Sequence, residues 1–487
     1  MKKSLCAKTL YFVCAICVAA AIPSDAQTFT SLVKLNGANG EGPSYGSMIQ
    51  GLDGNFYGTT TFGGANNGGE VFKITPSGQV TTIYSFCQGA GCPDGSVPSD
   101  SLLQGFDGNL YGTTSEGGMS NDGTIFKLTR SGVLTTLHQF CSEANCADGA
   151  VPVFGLIQGI NGNFYGTTTP EVAGISGTVF EITRTGQLTT LYTFCALSNC
   201  LDGAGPGGAL MLATDGNYYG ATGTGGSQKA GTIFRVTAGG KLTTIHSFNK
   251  SDGALPNSLI QAADGSFYGT TEYGGLNNKG VIFKLSRSGQ FSVLHNFCSV
   301  MNCVDGASSH APLVEGTDGN LYGTTTFGGV DKINGQLFGG YGTVFRISPT
   351  GQFTVLHTFC TLGGTCADGA YPLDGLTQGT DGNFYGTTYG LSLCPGNCGT
   401  VFKLSMGLAP FIEASPTFGR VGHAVHILGN NLLGATSVTF NGVPATFKVG
   451  ANSFITATVP SGASSGKIEV TTPGGTLLSN RVFEVIP

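Results

Sequence analysis

The chain contains no tryptophan and few charged residues. Asp, Glu, Lys and Arg make up 10% of its 487 residues, against about 25% in an average soluble protein. The net charge is -6 and no segment is rich in Lys or Arg. Because phosphate groups are bound by concentrated positive charge, neither nucleic acid nor an anionic membrane surface is an expected partner. Polarity comes instead from Thr, Ser, Asn and 81 glycines.

The chain also lacks an apolar run long enough to cross a membrane. Its longest apolar stretch consists of the 12 residues 10–21 together with the adjoining Ile22, whereas a spanning helix needs about 20. Lysines precede this stretch, and small residues follow it up to Ala26. This pattern predicts a secretory signal peptide over residues 1–26, cleaved before Gln27. We therefore expect an exported protein without a transmembrane segment, located outside the cell, at the cell surface or in the periplasm.

The cysteines after residue 26 fall into close pairs with none left over. The pairs are Cys87 with Cys92, Cys141 with Cys146, Cys195 with Cys200, Cys298 with Cys303, Cys360 with Cys366, and Cys394 with Cys398. In an oxidising compartment such pairs predict local disulfides, and metal binding is the alternative. No histidine lies at ligand spacing and no four cysteines cluster, so neither a metal nor another cofactor is expected.

One phrase, Asp-Gly-Asn-x-Tyr-Gly, recurs with small variations along the chain. It surrounds Tyr57, Tyr111, Tyr165, Tyr219, Tyr268, Tyr322 and Tyr385, at spacings of 54, 54, 54, 49, 54 and 63 residues. The second copy contains four strand-like segments, at 101–104, 110–114, 124–128 and 134–140. Repeats of this length with four strands are typical of propellers. The expected fold is all-β, with a seven-bladed β-propeller over residues 27–405.

The two ends of the repeat array complement each other. The seventh copy stops at its third strand, residues 400–404, whereas residues 28–35 resemble a fourth strand that precedes the first copy. We expect residues 28–35 to pair with residues 399–405 and to close the ring, which removes open sheet edges.

The repeat resembles the GloVer tandem repeats of exported bacterial proteins. The resemblance covers residues 28–405 approximately and rests on Gly-Asn-x-Tyr-Gly-Thr-Thr, Gly-Thr-Val-Phe and Leu-Thr-Thr-Leu-x-x-Phe. It implies export and surface display, and it implies no particular reaction.

From Ala409 the repeat gives way to a different strand-rich pattern. Pro410-Phe411-Ile412, an Asn441-Gly442 hairpin turn and the strand-like run 466–470 are its landmarks. Residues 409–487 resemble an IPT/TIG domain, an immunoglobulin-like β-sandwich. The resemblance implies a spacer or a recognition module.

Two repeated polar features have structural interpretations that we favour over functional ones. Asp53-Gly54-Asn55 and its copies offer only two side chains before the chain turns, so turn chemistry is favoured over a calcium site. His138, His246, His295 and His357 share one position in the fourth strand with Tyr84 and Tyr192. A position occupied by either His or Tyr indicates packing and not metal binding or general-base catalysis.

The variable loops all belong to one face of the predicted propeller. Connections between second and third strands, and between fourth and next first strands, vary in length and carry all the cysteine pairs, whereas the other connections are short and uniform. The candidate binding residues on this face are Phe62, Glu116, Glu171, Glu272, Tyr273, Phe327, Asp331, Tyr341 and Tyr389. Aromatic rings among neutral polar groups suit sugar rings, so extracellular carbohydrate is the first expected partner and a cell-surface protein the second.

Three functions stay open on this basis. A non-catalytic surface recognition or adhesion protein is favoured over a structural or assembly component of the cell surface or extracellular matrix, and both are favoured over a polysaccharide-active enzyme. An enzyme needs paired carboxylates, for which Glu116, Glu171, Glu272 and Asp331 are the candidates. We interpret these four as solvated loop charges and predict no catalytic residues.

Overall fold

A computed structural model of the chain describes residues 27–43, 46–169, 176–329, 332–333, 336–337, 339–361, 366–390 and 399–486. The predicted signal peptide lies outside these ranges. The described fold is all-β, with three 3-10 turns at Ala144–Cys146, Ser198–Cys200 and Met301–Cys303. Within the described ranges, no helix has the length and apolar character needed to span a membrane.

Along these ranges, seven antiparallel sheets share one plan, in which each strand pairs with its neighbours in the order first, second, third, fourth. In three sheets the first strand is split into two short segments that both pair with the second strand. The strands of sheets 1 to 4 are, for sheet 1, Glu41–Pro43 with Ile49–Gln50, Phe56–Phe62, Glu70–Ile74 and Val80–Ser85; for sheet 2, Ser96–Pro98 with Leu103–Gln104, Leu110–Glu116, Thr124–Leu128 and Leu134–Gln139; for sheet 3, Ile157–Gln158, Phe164–Thr167, Thr178–Ile182 and Leu188–Thr193; for sheet 4, Ala204–Pro206 with Met211–Leu212, Tyr218–Thr224, Thr232–Val236 and Leu242–Ser247.

Sheets 5 to 7 follow the same plan. Their strands are, for sheet 5, Ala254–Gln261, Phe267–Tyr273, Val281–Leu285 and Phe291–Asn296; for sheet 6, Val314–Glu315, Leu321–Thr325, Thr343–Ile347 and Phe353–Thr358; for sheet 7, Thr377–Gln378, Phe384–Thr388, Thr400–Ser405 and Thr28–Lys34. A short hairpin, Lys332–Ile333 with Gln336–Leu337, extends a loop of sheet 6.

The N-terminal strand supplies the fourth strand of sheet 7. Thr28–Lys34 pairs antiparallel with Thr400–Ser405, with Phe29 opposite Leu404. The amide of Leu35 then donates to the carbonyl of Gly399 at 2.8 Å. Residues at the two ends of the repeat array therefore form one sheet.

Each sheet packs face to face on the next through the apolar residues of its inner strands. Second and third strands are buried on both faces because a neighbouring sheet lies on each side. The repeated tyrosines lie in these cores, where Tyr111 packs against Phe164 with ring centroids 4.2 Å apart. Sheet 7 packs on sheet 1 in the same way, with Tyr385 and Phe56 at 4.0 Å.

In five sheets a glutamine at the end of the first strand accepts a hydrogen bond from the turn of the preceding sheet, and Glu315 does so in sheet 6. The amide of Leu52 in sheet 1 donates to Gln104 Oε1 in sheet 2 at 3.0 Å. The amide of Thr380 in sheet 7 donates to Gln50 Oε1 in sheet 1 at 2.8 Å. Equivalent bonds join Phe106 to Gln158, Thr214 to Gln261, Ala263 to Glu315 and Thr317 to Gln378. Sheet 4 has Leu212 at this position.

Residues after the repeat form a two-layer sandwich around one core that includes Ile427, Phe440 and Val470. One layer contains Glu413–Ser415, Ala424–Leu428, Phe454–Thr458 and Phe447–Ala451, the other contains Val443–Pro444, Ser437–Phe440, Ile468–Thr472 and Gly475–Leu478, and a parallel pair joins Phe418–Gly419 to Glu484–Val485. The predicted Asn441-Gly442 turn connects two strands of the second layer, with both residues at positive φ.

The sandwich contacts the side of the sheets that carries the Asp-Gly-Asn turns, which we call the turn side. Asn430 Nδ2 donates to the Thr380 hydroxyl at 2.8 Å, and the Ser453 hydroxyl donates to the Leu52 carbonyl at 2.6 Å. Phe418 packs edge-on against Phe106, with centroids 5.9 Å apart. The short uniform turns therefore hold the C-terminal sandwich against sheets 1, 2 and 7.

Candidate functional site

The opposite side of the sheets carries the variable loops, and we call it the loop side. Second strands end there, at residues such as Glu116, and the cysteine loops begin there. Five predicted pairs are disulfide-bonded: Cys87–Cys92, Cys141–Cys146, Cys195–Cys200, Cys298–Cys303 and Cys360–Cys366. The sixth pair, Cys394 and Cys398, lies outside the described residues.

A buried aspartate organises each of the five cysteine loops that the structure describes. Asp148 accepts hydrogen bonds from the backbone and hydroxyl of Ser142 at 3.1 and 2.9 Å, and from the Glu143 amide at 3.3 Å. His138 Nε2 lies 3.0 Å from the same carboxylate. In sheet 1 the equivalent Asp94 accepts from the Tyr84 hydroxyl at 2.8 Å.

This contact explains why His and Tyr alternate at one position of the fourth strand. Both side chains place an N–H or O–H group within hydrogen-bond distance of the loop aspartate, and both contact the phenylalanine two residues further on edge to face. His246 stacks on Phe291 at 3.9 Å, and burial lowers the pKa of His246 although Asp252 opposes the shift. The side chain at this position therefore packs in the sheet and also links the fourth strand to the following loop through its contact with the aspartate.

The Asp-Gly-Asn phrase forms a self-contained turn network. Asp53 accepts hydrogen bonds from the backbone of Asn55 at 3.2 Å, from its side chain at 2.8 Å, and from the Tyr57 hydroxyl at 2.8 Å. In sheet 2, burial would raise the pKa of Asp107, but hydrogen bonds from Asn109 and Lys127 outweigh it and hold that pKa at about 2. These carboxylate oxygens are occupied by protein donors, as turn chemistry predicts.

Four of the candidate binding residues are exposed aromatic side chains on the loop side. Phe62, Tyr273, Phe327 and Tyr389 are 38, 40, 43 and 36% exposed. Phe62 and Tyr273 are the last residues of the second strands of their sheets. Glu116 has the same position in sheet 2 and is also exposed. The structure thus repeats one surface position in several sheets and fills it with different side chains.

Tyr341 differs from the expectation of a surface aromatic. It is buried in the core between sheets 6 and 7, and its ring centroid lies 5.2 Å from that of Tyr371. The loop that contains Tyr341 folds back over the start of sheet 7, which removes the side chain from solvent. Two further candidates, Glu171 and Asp331, lie outside the described residues.

Glu272 is not the solvated loop charge that we expected. It is half-buried, and its Oε1 lies 3.1 Å from His310 Nε2 in the next sheet. Burial would raise the pKa of Glu272, but the His310 contact outweighs it and lowers that pKa. His310 Nδ1 also lies 2.7 Å from the Thr326 hydroxyl. Because the two partners belong to different repeats, their sequence spacing carried no signal of this contact.

A large cavity begins beside Glu272. Its volume is about 1390 Å³, and it extends from Val97, Leu255 and Glu272 on the loop side to Phe106 on the turn side. The sandwich forms part of its wall, through residues that include Phe418 and Arg481.

One further feature of the loop side has no signature in the sequence. One residue adopts a left-handed backbone in every sheet, either as the second residue of the first strand or a few residues before that strand, with φ between 50 and 59°. These residues are Gly42, Val97, Val151, Gly205, Leu255, Ser308 and Tyr371. Each non-glycine member donates its amide to the loop of the preceding sheet, as Val97 does to Gly68 at 2.9 Å.

Seven sheets of one plan followed by a sandwich define a repeat-built all-β protein with an immunoglobulin-like C-terminal domain. The Gloeobacter/Verrucomicrobia repeat family matches residues 19–214 and 195–402. The chain belongs to this family. The IPT/TIG domain matches residues 411–485, which identifies the C-terminal sandwich.

No curated protein sequence matches the chain. Similar solved structures include a putative gluconolactonase, 12% identical, covering 61% of this chain and 89% of its own, with a TM-score of 0.38. An auxiliary nutrient binding protein from Bacteroides ovatus is 12% identical, with 78 and 76% coverage and a TM-score of 0.40. Puromycin hydrolase is 12% identical, with 70 and 48% coverage and a TM-score of 0.42.

Proposed function

We propose that the seven sheets close into a seven-bladed β-propeller over residues 27–405, and that this ring is an exported, non-catalytic recognition protein of the cell surface. Ring closure is supported by the pairing of Thr28–Lys34 with Thr400–Ser405. It is also supported by the packing of Tyr385 on Phe56 and by the bond from Thr380 to Gln50. Export is supported by residues 1–26 and by five disulfides.

The recognition site in this proposal is the loop side, and the ligand is a neutral or weakly charged extracellular polysaccharide. The observation that carries the proposal is the set of exposed aromatic rings, among them Phe62, Tyr273 and Phe327, which lie at or just beyond the ends of second strands. Aromatic faces pack against the apolar faces of sugar rings, and neutral hydroxyls and amides nearby bind the sugar edges. Disulfides in the adjacent loops reduce the conformational entropy that binding would otherwise cost.

A structural or assembly role at the cell surface or in the extracellular matrix is the second candidate, because exposed rings on variable loops would equally fit a cell-surface protein. The enzymatic alternative has less support. Glycoside hydrolysis uses two carboxyl groups on either side of one bond. Of the four acids considered for it, Glu116 is exposed, Glu272 is paired with His310, and Glu171 and Asp331 lie outside the described residues.

Binding of the mature protein to a panel of purified polysaccharides and glycans tests the proposal. We expect saturable binding to at least one neutral polysaccharide, reduced at least tenfold by Tyr273→Ala or Phe327→Ala. The matched control is Val133→Ala, which removes an apolar side chain that is 61% exposed on the turn side, and it should bind like the wild type. If the control lost binding equally while circular dichroism showed an intact fold, the binding site could not be assigned to the loop side. Binding to no glycan but to intact cells would favour the protein partner.

A further inference from the structure

One repeated position, in or next to the first strand and eleven residues before the repeated tyrosine, lies at the joint between consecutive sheets. Its backbone carbonyl accepts a hydrogen bond from a threonine in the second strand of the preceding sheet, as Asp100 does from Thr59 at 3.1 Å and Asp374 does from Thr324 at 2.8 Å. Gly, Phe, Asn or Ala occupies the position in the other five sheets. Acids therefore stand at this joint in sheets 2 and 7 only.

Asn257 shows what the joint offers to a side chain at this position. Its Nδ2 donates to the Thr270 hydroxyl of its own sheet at 3.1 Å and to the carbonyl of Ser309, in the repeat of sheet 6, at 2.6 Å. Both partners accept through oxygen atoms. The joint in sheet 5 therefore presents acceptors, and an amide N–H₂ group satisfies them.

Asp374 reaches the equivalent threonine with oxygen atoms alone. The hydroxyl of Thr387 donates to Asp374 Oδ2. Asp374 Oδ1 has no hydrogen-bond partner, although the residue is only 2% exposed. A carboxylate has no N–H to donate across the joint as Asn257 does. Burying a carboxylate oxygen without a donor or a cation is costly, so this atom points to a bound positive charge.

A second carboxyl lies nearby across sheet 1. A Cβ at Gly46 would lie 2.3 Å from Asp100 Oδ1, and a Cβ at Gly375, next to Asp374, would lie 2.4 Å from Ser47 Oγ. Gly46 and Ser47 therefore adjoin the two acids on either side. Burial raises the pKa of Asp374, and the charge of Asp100 raises it further. No Lys, Arg or His in the described ranges forms an ion pair with either acid.

The chemistry of these groups suits a hard cation. Calcium binds carboxylate and carbonyl oxygens together with water, and it tolerates irregular geometry, whereas magnesium demands a nearly ideal octahedron and dehydrates reluctantly. A buried joint with two carboxyls from different sheets therefore favours calcium. Asp100 and Ser47 also line the large cavity, which gives an ion and its water ligands a path from solvent.

We propose that Asp374 and Asp100 bind one calcium ion at the joint of sheets 7, 1 and 2, where the two ends of the repeat array meet. The ion supplies the positive charge that the amide hydrogens of Asn257 supply in sheet 5. The two acids belong to different repeats, so no local spacing indicated the site. The site is also separate from the exposed aromatic rings of the loop side, and calcium binding is measured independently of glycan binding.

Isothermal titration of the chelator-treated mature protein with calcium chloride, and separately with magnesium chloride, tests the proposal. We expect saturable binding of one calcium ion with a dissociation constant of about 10⁻³ M or lower, and magnesium binding at least tenfold weaker. Asp374→Asn and Asp374→Ala should abolish calcium binding. Both should fold, because the repeat itself carries Asn257 and Ala311 at this position. Glu116→Gln, which neutralises an exposed acid on the loop side, is the matched control and should bind like the wild type.

Thermal unfolding gives a second readout. Millimolar calcium should raise the unfolding temperature of the wild type, and a chelator should reverse the rise. Asp374→Asn should unfold at the same temperature with and without calcium, and no lower than the calcium-free wild type, because the amide removes a buried charge. Circular dichroism identifies a variant that fails to fold, and the other Asp374 variant then provides the test. No saturable calcium binding to the wild type, calcium binding unchanged in the Asp374 variants, or magnesium bound as tightly as calcium would overturn the proposal.

Discussion

Phe29 stacks face to face on His357, with ring centroids 3.7 Å apart and planes within 4°. The N-terminal strand thereby reproduces a contact that recurs within the array, where His295 stacks on Phe353 at 3.9 Å. Phe29 therefore occupies the place of the first residue in a fourth strand, and the match extends beyond backbone pairing to side-chain packing.

The first prediction concerns this strand. Phe29→Ala should lower the free energy of unfolding by about 2–4 kcal/mol, because a large, partly buried ring is removed from the packing of sheet 7. Thr30→Ala, at an exposed position of the same strand, should change it by less than about 0.5 kcal/mol. Denaturant unfolding of the mature protein measures both. Equal, small effects would contradict the assigned role of the strand.

The second prediction concerns the cysteine loops. Peptide mapping of the non-reduced protein should find each of the five described pairs linked within its own loop, and the same linkage is expected for Cys394 and Cys398. Replacing both Cys87 and Cys92 by serine should cost about 2 kcal/mol or less, because the loop closed by the disulfide is short. Disulfides between different repeats, or free thiols, would contradict this prediction.

The third prediction concerns the contact between fourth strand and loop. His138→Tyr should be tolerated within about 1 kcal/mol, because Tyr84 and Tyr192 make the equivalent contacts to Asp94 and Asp202. His138→Leu should cost about 1–3 kcal/mol, because it removes a donor to the buried Asp148. Chemical denaturation distinguishes them, and equal losses would contradict a stabilising role for the hydrogen bond to Asp148.

The fourth prediction concerns acid sensitivity. Asp107 has a pKa of about 2 in the folded protein, below the value of about 3.9 of an unfolded aspartate. Its contribution to stability is therefore present above pH 4 and is lost as the pH falls toward 2. Asp107→Asn should be less stable than the wild type at pH 7, and the difference should shrink between pH 4 and pH 2. A difference that stays constant over this range would refute the assignment.

The fifth prediction concerns the sandwich interface. Phe418→Ala should make the segment between the repeat and the sandwich more susceptible to limited proteolysis, because the packing on Phe106 is lost. Val421→Ala, which removes an apolar side chain that is 49% exposed on the sandwich, serves as the control. Identical cleavage rates in the two variants would argue against a fixed interface.

Much of the local structure could be predicted because each repeat encodes it separately. Alternating apolar residues, Gly-containing turns and close cysteines specify strands and loops within a few residues of each other. The fourth-strand pattern of residues 28–35 extended this reasoning to the two ends of the repeat array. The seventh copy lacks a fourth strand, and residues 28–35 supply one that precedes the first copy.

Contacts between side chains of different repeats or domains could not be predicted in this way, because their sequence spacing carries no signal. Glu272 meets His310, and Phe106 meets Phe418, only after the sheets and sandwich have packed. Tyr341 was assigned to the surface because its loop is variable in length, yet the loop folds inward. The left-handed backbone of Val97 was equally hidden, because valine is a residue that sequence patterns associate with extended strands.

The bonds from the turns to Gln, or in sheet 6 to Glu315, join consecutive sheets at every described position except one, where Leu212 takes this place in sheet 4. The joint between sheets 3 and 4 keeps the aromatic contact that other joints also have, here between Tyr165 and Tyr218 with centroids 4.2 Å apart, and a bond from the Gly205 amide to the Ser176 carbonyl at 2.8 Å. It lacks the hydrogen bond from turn backbone to first-strand side chain that the other joints have. Under mechanical load or during thermal breathing, the sheets would therefore separate first at this joint and not where the chain ends meet.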